Sequence, residues 1–521
     1  MVMTRWTHQT LIDWPKRGVT YTNVYSTSGV CAPSRAAITL GMYPSAVGAN
    51  HMRTSSNTQD TGLPAYEAVP PAHAKILSQY LREAGYYTTN NVKTDYQFLP
   101  PKAAWNESSV FAHWRNRPAG QPFYAVFNFT TTHESGLFEP YGIRHIESRH
   151  YFSDDAARIA QLPQHHAQKT SVIDTPIHLP IDTVFKVPPY LPDTPEVQYD
   201  LWKMYNNLVE TDRQIGAIIQ QLIDDNLYDS TIVVFYSDHG GPLPRQKRLI
   251  YDSGLQVPFI IRFPNARRGG STDDQLISFV DFAPTTLGMA GIDAPPHMHG
   301  QDFLAIDTEK REYIHAAADR FDGFTDVIRA VKNERFKYIR NYRPEQGYYL
   351  PVVYRERIPT MQALLRLRDS NGLTPEQAQW FRTSKPVEEL FDTHNDPHEL
   401  VNLAGEERYQ DELRQLRLEM DRWLADIGDV PNTAEVDLIN ALWGGQPEKP
   451  TTATPEFSTM NNKFVLSSDT EGAVISYQLS SDDSAQWHLY TGPFLVPSKT
   501  SVTAVAHRLG FNESPSVVVK N

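Results

Sequence analysis

Thr231-Ile232-Val233-Val234-Phe235-Tyr236-Ser237-Asp238-His239-Gly240 reads as a buried strand that stops in a polar cluster. The apolar run is rich in β-branched residues and breaks where Ser237, Asp238 and Gly240 favour a turn. Upstream, Val197 to Asp225 places Leu201, Met204, Tyr205, Leu208, Ile215, Ile218, Ile219 and Leu222 at helical spacing, which predicts a long amphipathic helix feeding that strand. Phe123 to Phe129 is an earlier strand of the same kind, running up to Thr130-Thr131-Thr132-His133, and Ala74 to Ala84 is a helix ended by Gly85. Apolar strands alternating with helices predict an α/β fold with a mostly parallel central sheet flanked by helices. Such sheets hold their ligands beyond the C-terminal ends of the strands, where His133, Asp238 and His239 stand.

Working outward, Arg144 to Pro195 is rich in His, Pro and Asp, has no sustained period, and reads as a long surface excursion of the kind that carries function. After residue 305 the texture changes. Tyr313 to Ala318 and Arg329 to Arg340 read as strands and Gln410 to Ala425 as a helix, giving a smaller α+β subdomain over 306–445 behind a catalytic domain over 1–305. Residues 446–456, rich in Pro and Thr, read as a linker. Over 457–521, the segments Lys463 to Leu466, Ala473 to Leu479, Trp487 to Val496, Val502 to His507 and Ser516 to Val519 alternate as short strands, predicting a small appended β-sandwich.

The 521 residues are 40% hydrophobic, enough for a large core. With 48 basic against 61 acidic residues the formal net charge is -13, which argues against a broad grip on nucleic acid or on an anionic membrane. A polyanionic ligand would need a local basic pocket. No apolar run is long enough to cross a membrane, and Met1 to Pro15 lacks the short apolar core of a secretory signal. One cysteine rules out an internal disulfide and a multi-cysteine zinc site. A lone cysteine is ordinarily an inert core residue.

Cys31 departs from that rule because it stands in Cys31-Ala32-Pro33-Ser34-Arg35, and three further specified residues beside a given Cys match by chance at roughly 10⁻⁴. The segment C-x-P-S-R resembles that of the type I, formylglycine-dependent sulfatases of the alkaline-phosphatase-like superfamily. The resemblance implies that a formylglycine-generating enzyme oxidises Cys31 to formylglycine. The hydrated aldehyde offers one hydroxyl to attack sulfur and one to expel sulfate, splitting one hard displacement into two steps. It also implies that Arg35 pairs with the diol and the metal ligands, and that Asp238 and His239 bind Ca²⁺, to which the carboxylate is better suited than the imidazole.

Lys247, in Gln246-Lys247-Arg248-Leu249-Ile250-Tyr251-Asp252-Ser253-Gly254-Leu255, is similar to the sulfatase lysine that holds a sulfate oxygen. Lys93, in Asn90-Asn91-Val92-Lys93-Thr94-Asp95, matches a second sulfate-binding lysine, and His133 the histidine that assists the leaving group. Asp95 stands where many relatives carry a histidine. His51, Arg53, Asp95 and His299 are candidates for substrate contacts. Leu40-Gly41 stands where the motif usually continues Thr-Gly.

Further matches reach to about residue 430, among them Phe282-Ala283-Pro284-Thr285 and Glu389-Leu390-Phe391-Asp392, and the pattern is most similar to the heparan N-sulfatase-like branch and its bacterial relatives. The resemblance implies a sulfatase acting on sulfate esters or sulfamates of a sulfated poly- or oligosaccharide in the periplasm or outside the cell. A phosphoester or phosphonate hydrolase of the same superfamily, and a degenerate fold that binds sulfated glycan without cleaving it, are the alternatives. Sulfatases normally open with an apolar strand ending in paired Asp residues, which this sequence lacks. Thr10 to Tyr21 reads as the helix and strand that follow it, so the expectation is a start placed too far downstream.

Overall fold

A computed structural model describes residues 16–56, 58–138, 140, 141, 143–145, 170–172, 177–482 and 486–521. Residues 1–15 and much of the expected excursion over 144–195 lie outside the described residues.

The strands run β1 (Val19–Tyr25), β2 (Tyr87–Asn91), β3 (Glu107–Ser108), β4 (Phe123–Phe127), β5 (Ile143–His145), β6 (Thr170–Val172), β7 (Val233–Tyr236), β8 (Phe259–Arg262) and β9 (Ser271–Ser278). Among them lie helices α1 (Cys31–Leu40), α2 (Leu77–Glu83) and α3 (Pro195–Asp224). The helix expected over Val197 to Asp225 is α3. Pro195 sets φ in its first turn, and Val197, Leu201, Ile215, Ile218, Ile219 and Leu222 form its buried face.

The architecture is α/β as expected, with a mixed rather than uniformly parallel arrangement. One sheet has the order β7-β8-β1-β9, with β1 parallel to β9 and β8 antiparallel to both β1 and β7. The other, β3-β2-β4, is parallel throughout. β4 and β7 each end their sheet among the described residues, yet both lie on α3. Phe123, Ala125 and Phe127 of β4 and Val233 and Phe235 of β7 pack with Ile215, Ile218, Ile219 and Leu222. Strands buried on both faces read as continuous apolar runs. Here the runs are only half-buried, because one edge of each strand has no ladder neighbour among the described residues.

Beyond β9, strands β10 (Ile314–Ala318), β11 (Ile328–Lys332), β12 (Phe336–Asn341) and β13 (Glu388–Asp392) form an antiparallel sheet in sequence order. Helix α4 (Gln410–Ile427) lays Leu413, Leu416, Met420 and Trp423 into a core shared with Val19, Tyr21, Ile261 and Ile277. Helix α5 (Glu435–Leu442) places Glu435 between Tyr66 and Arg320, from both of which it accepts hydrogen bonds. Residues 446–456 are anchored by an ion pair of Lys449 with Glu67 at 2.7 Å and by Thr452, which bonds the carbonyl of Asn512.

The C-terminal strands β14 (Glu456–Met460), β15 (Lys463–Ser467), β16 (Val474–Leu479), β17 (His488–Leu489), β18 (Ser501–His507) and β19 (Val517–Lys520) make a two-stranded and a four-stranded antiparallel sheet. Their apolar faces meet through Phe457, Phe464, Tyr477, Phe494 and Val502. Among the described residues no helix is long and apolar enough to cross a membrane.

Candidate active site

Cys31 opens α1 directly after β1, with Val30 still extended, so its side chain sits at the positive end of the helix dipole. Gly41 ends the helix at φ 67°, a left-handed conformation that glycine adopts without strain, and an added Cβ would meet Met298 Sδ at 2.9 Å. The hydroxyl of Ser34 bonds the carbonyl of Asp238, fixing α1 against the end of β7. Arg35 binds the carbonyls of Thr94 (2.8 Å) and Lys93 (2.6 Å), the side-chain oxygen of Asn128 (2.8 Å) and the carboxylate of Asp238 (3.7 Å). One guanidinium thereby ties the chain after β2, β4 and β7 to the helix that carries Cys31. Among the described residues Arg35 acts as this clamp, and its contact with Asp238 is one of the two the resemblance implied.

Around the buried Cys31 thiol the predicted residues converge. His239 Nε2 lies 3.4 Å from Sγ, while Nδ1 faces the carbonyl of Gly240 at 3.0 Å. A carbonyl only accepts, so Nδ1 carries the proton and Nε2 presents its lone pair to the Cys31 side chain. His133 has the opposite tautomer. Its Nδ1 accepts the backbone N–H of Ser135 at 3.2 Å, leaving Nε2 as the protonated nitrogen, 3.3 Å from Lys247 Nζ. Burial first, and then the charge of Lys247, push the His133 pKa down to about 4.

Lys93 Nζ lies 3.5 Å from Asp95 and 3.7 Å from Asp238. Burial alone would raise the Cys31 pKa. Lys247 and then Lys93, with a hydrogen bond from His133, outweigh it and hold the thiol well below its ordinary value. The position of Sγ is therefore built for negative charge.

Of the candidate substrate contacts, Arg53 and Asp95 reach the rim as an ion pair at 3.8 Å, Arg53 about half exposed. Both adopt positive φ, 63° and 53°, a strained conformation typical of functional sites. His51 and His299 are corrections. His51 is buried, and its Nδ1 accepts the backbone N–H of Arg320 at 3.1 Å. His299 accepts the N–H of Tyr43 at 3.0 Å and stacks on its ring, beyond the far end of α1 from Cys31. Each ring serves the backbone of a neighbouring segment instead of the cavity.

Other groups were not anticipated from sequence. Asn128 follows β4 and joins Arg35 to Asn90. Glu134, 1% exposed, receives Arg248 at 2.7 Å and Lys247 at 3.3 Å. Glu134 and Arg248 each directly follow a predicted residue, and that adjacency was the only signal.

Cys31, Asp238 and His239 bring one ligand atom each within 4.8 Å of one another. Calcium takes about six to eight oxygen ligands. One carboxylate and one imidazole fall short of that, and Asp238 already faces Arg35 and Lys93. The described residues do not by themselves fit calcium.

The family model described as Sulfatase matches residues 4–292, more than half of the chain. The chain belongs to the sulfatase family. A second model, N-sulphoglucosamine sulphohydrolase, C-terminal, matches residues 245–354. An "Ulvan-active sulfatase" of Formosa agariphila is 58% identical over 97% of this chain and 86% of that protein. The human N-sulphoglucosamine sulphohydrolase is 25% identical over 58% of this chain and 60% of its own. A solved structure in complex with its substrate D-glucosamine-2-N,6-O-disulfate covers 81% of this chain and 93% of that one at a TM-score of 0.52 and 15% identity, a likeness of fold. As a sulfatase this protein is a hydrolase of sulfate esters.

Proposed function

We propose that this sulfatase removes sulfate from an ulvan-type sulfated polysaccharide or its oligosaccharides, with Cys31 matured to formylglycine by a formylglycine-generating enzyme. The observation that carries the reading is the convergence of Lys93, Lys247, His133 and His239 on the Cys31 side chain, together with the 58% identity to an ulvan-active sulfatase. A polymeric substrate of this kind argues for action in the periplasm or outside the cell.

Formylglycine, once formed, supplies a hydrated aldehyde with one hydroxyl to attack sulfur and a second to release sulfate. The residues around it have separable tasks. Lys93 and Lys247 offer ammonium groups to the sulfuryl oxygens, where charge grows as the S–O bond to the sugar breaks. His133, neutral with its N–H on Nε2, donates a hydrogen bond to the departing sugar oxygen, which takes its proton from water as the S–O bond breaks. His239, with its lone pair on Nε2, accepts a proton from a hydroxyl at the Cys31 position. Arg35 holds the three strand ends in register so that these atoms meet. A divalent cation would find Asp238 as a donor, with the His239 lone pair then given to the cation in place of the proton, and the further oxygen ligands calcium requires would come from outside the described residues.

The test is release of inorganic sulfate from ulvan oligosaccharides by protein coexpressed with a formylglycine-generating enzyme, alongside turnover of 4-nitrophenyl sulfate and 4-nitrophenyl phosphate. Sulfate release with the aryl sulfate preferred supports the reading. Faster phosphate turnover, or tight glycan binding with no sulfate released, contradicts it.

A further inference from the structure

Beside the groups assigned to the sulfate lies a second cluster that the reaction leaves unused. Phe138 and Tyr354 form an edge-to-face pair with ring centroids 4.7 Å apart, and the Arg248 guanidinium carbon lies 5.9 Å from the centre of the Tyr354 ring. Tyr354 is 38% exposed, so part of the aromatic pair stays open to solvent beside Arg248. The next residue, Arg355, turns inward and is 3% exposed. Its guanidinium rests on Trp380 at 4.8 Å and Tyr349 at 5.6 Å and bonds the carbonyl of Leu350. Its Nε has no hydrogen-bond partner, and among the described residues no carboxylate forms an ion pair with it.

A guanidinium withdrawn from water without a counter-charge is expensive to keep. Burial first, and then Arg248, push the Arg355 pKa down to about 10. Glu134 and Glu356 are nearby carboxylates, but Arg248 at 2.7 Å and Lys247 at 3.3 Å already claim the first, and the Tyr349 hydroxyl bonds the second. Arg248 Nε and Asp322 Oδ2 lie 3.5 Å apart with neither hydrogen-bonded, and both residues hold positive φ, 72° and 54°. Arg248 and Arg355 therefore each hold a buried Nε without a hydrogen-bond partner, beside the partly exposed ring of Tyr354.

We propose that Arg248 and Arg355, with the Phe138–Tyr354 ring pair, form a second subsite for an acidic sugar unit adjoining the sulfated one. Its carboxylate or second sulfate meets the guanidinium groups while its ring lies on Tyr354. Carboxylate and sulfate share the chemistry a planar guanidinium recognises, two oxygens presented side by side. The proposal rests on the reading of the site as a glycan sulfatase.

The test compares wild type, Arg355→Gln and Tyr354→Ala on four substrates. These are a sulfated disaccharide with a uronate neighbour, the same compound with the carboxyl reduced to an alcohol, one with a second sulfate in place of the carboxylate, and 4-nitrophenyl sulfate. Each kcat/KM is divided by that of the same variant on 4-nitrophenyl sulfate, so a general loss cancels. Arg355→Gln is expected to lower the ratio for the anionic disaccharides about tenfold and to leave that of the reduced one in place. The larger of the two anionic effects identifies the natural group. Tyr354→Ala, at an exposed position, keeps the test open if Arg355→Gln does not fold, and is expected to lower all disaccharide ratios. Ratios that do not move in either variant overturn the subsite. If wild type releases no sulfate from any compound, calorimetric affinities for the same disaccharides decide. A preference for the anionic ones that Arg355→Gln abolishes supports the subsite while the sulfatase reading fails, and no preference overturns the subsite.

Discussion

Glu134 shows how much of a site rests on a residue that takes no part in the chemistry. Buried beside His133, it receives both Lys247 and Arg248 and keeps their charges from repelling each other. Burial alone would raise its pKa, but Lys247 and Arg248 outweigh it and hold the carboxyl down at about 2. A carboxyl whose folded pKa lies below its unfolded value adds stability that is complete above the unfolded pKa and disappears as pH falls through the folded one. Glu134 is therefore expected to contribute on the order of 3 kcal/mol at neutral pH, lost as pH falls from about 4.5 toward 2. Acid unfolding followed by circular dichroism should show a shallower dependence over that window in Glu134→Gln than in wild type, and identical slopes would contradict the assignment.

At this scale the sequence was legible wherever a residue sat in a short motif. Lys93, His133, Lys247 and His239 gather about Cys31, and Asp238 and Arg35 join them through Lys93. His51 and His299 were misread because a histidine in a loop does not reveal which way its ring turns. Glu134, Arg248 and Asn128 escaped because their importance depends on which segments the fold brings together.

Among the elements, the chain between β7 and β8 does the most positioning. It carries Lys247 and Arg248, and the β10–β13 sheet bolts it down from behind. Lys337 of β12 is wholly buried, with Nζ 2.5 Å from Asp252, 2.7 Å from Glu399 and 3.1 Å from the carbonyl of Ile250. Arg245 adds bonds to the carbonyls of His398 and Glu399. Lys337→Met leaves buried Glu399 without the ammonium at 2.7 Å and Asp252 with Lys332 alone at 3.5 Å, and is expected to cost about 3–5 kcal/mol. A fall in the midpoint of urea unfolding, accompanied by a loss of turnover larger than the unfolded fraction explains, would fit this account. Unchanged stability would count against it.

The strands and helices themselves were well marked, since α3, β4, β7, β10, β12 and α4 all follow clear apolar periods. The division of the sheet was not. Antiparallel β8 and, among the described residues, the separation of β4 from β7 depend on which edges meet, and residue periodicity carries no information about neighbours.

At the scale of the whole molecule, a net charge of -13 surrounds a site rich in cations. The acidic surface repels a polyanionic chain over several ångströms, while the buried lysines and arginines act only at contact and are screened much less. Raising the ionic strength from about 0.01 M to about 0.15 M shortens the screening length from about 30 Å to about 8 Å. It is expected to raise kcat/KM on polymeric substrate relative to 4-nitrophenyl sulfate. A relative fall would mean that the exposed cations of the rim, Arg53 foremost, govern capture of the polymer. Composition gave the need for a local basic pocket, but only the folded chain shows that pocket to be lined from α1, the ends of β2, β4 and β7, and the segment before β8.

The most direct test of the central claim is the mass of the peptide that contains Cys31, taken from protein coexpressed with a formylglycine-generating enzyme. The account predicts loss of sulfur and two hydrogens with gain of one oxygen, seen as the aldehyde and its hydrate, and sulfate release that scales with the fraction converted. An unmodified thiol in protein that still hydrolyses sulfate esters would contradict it.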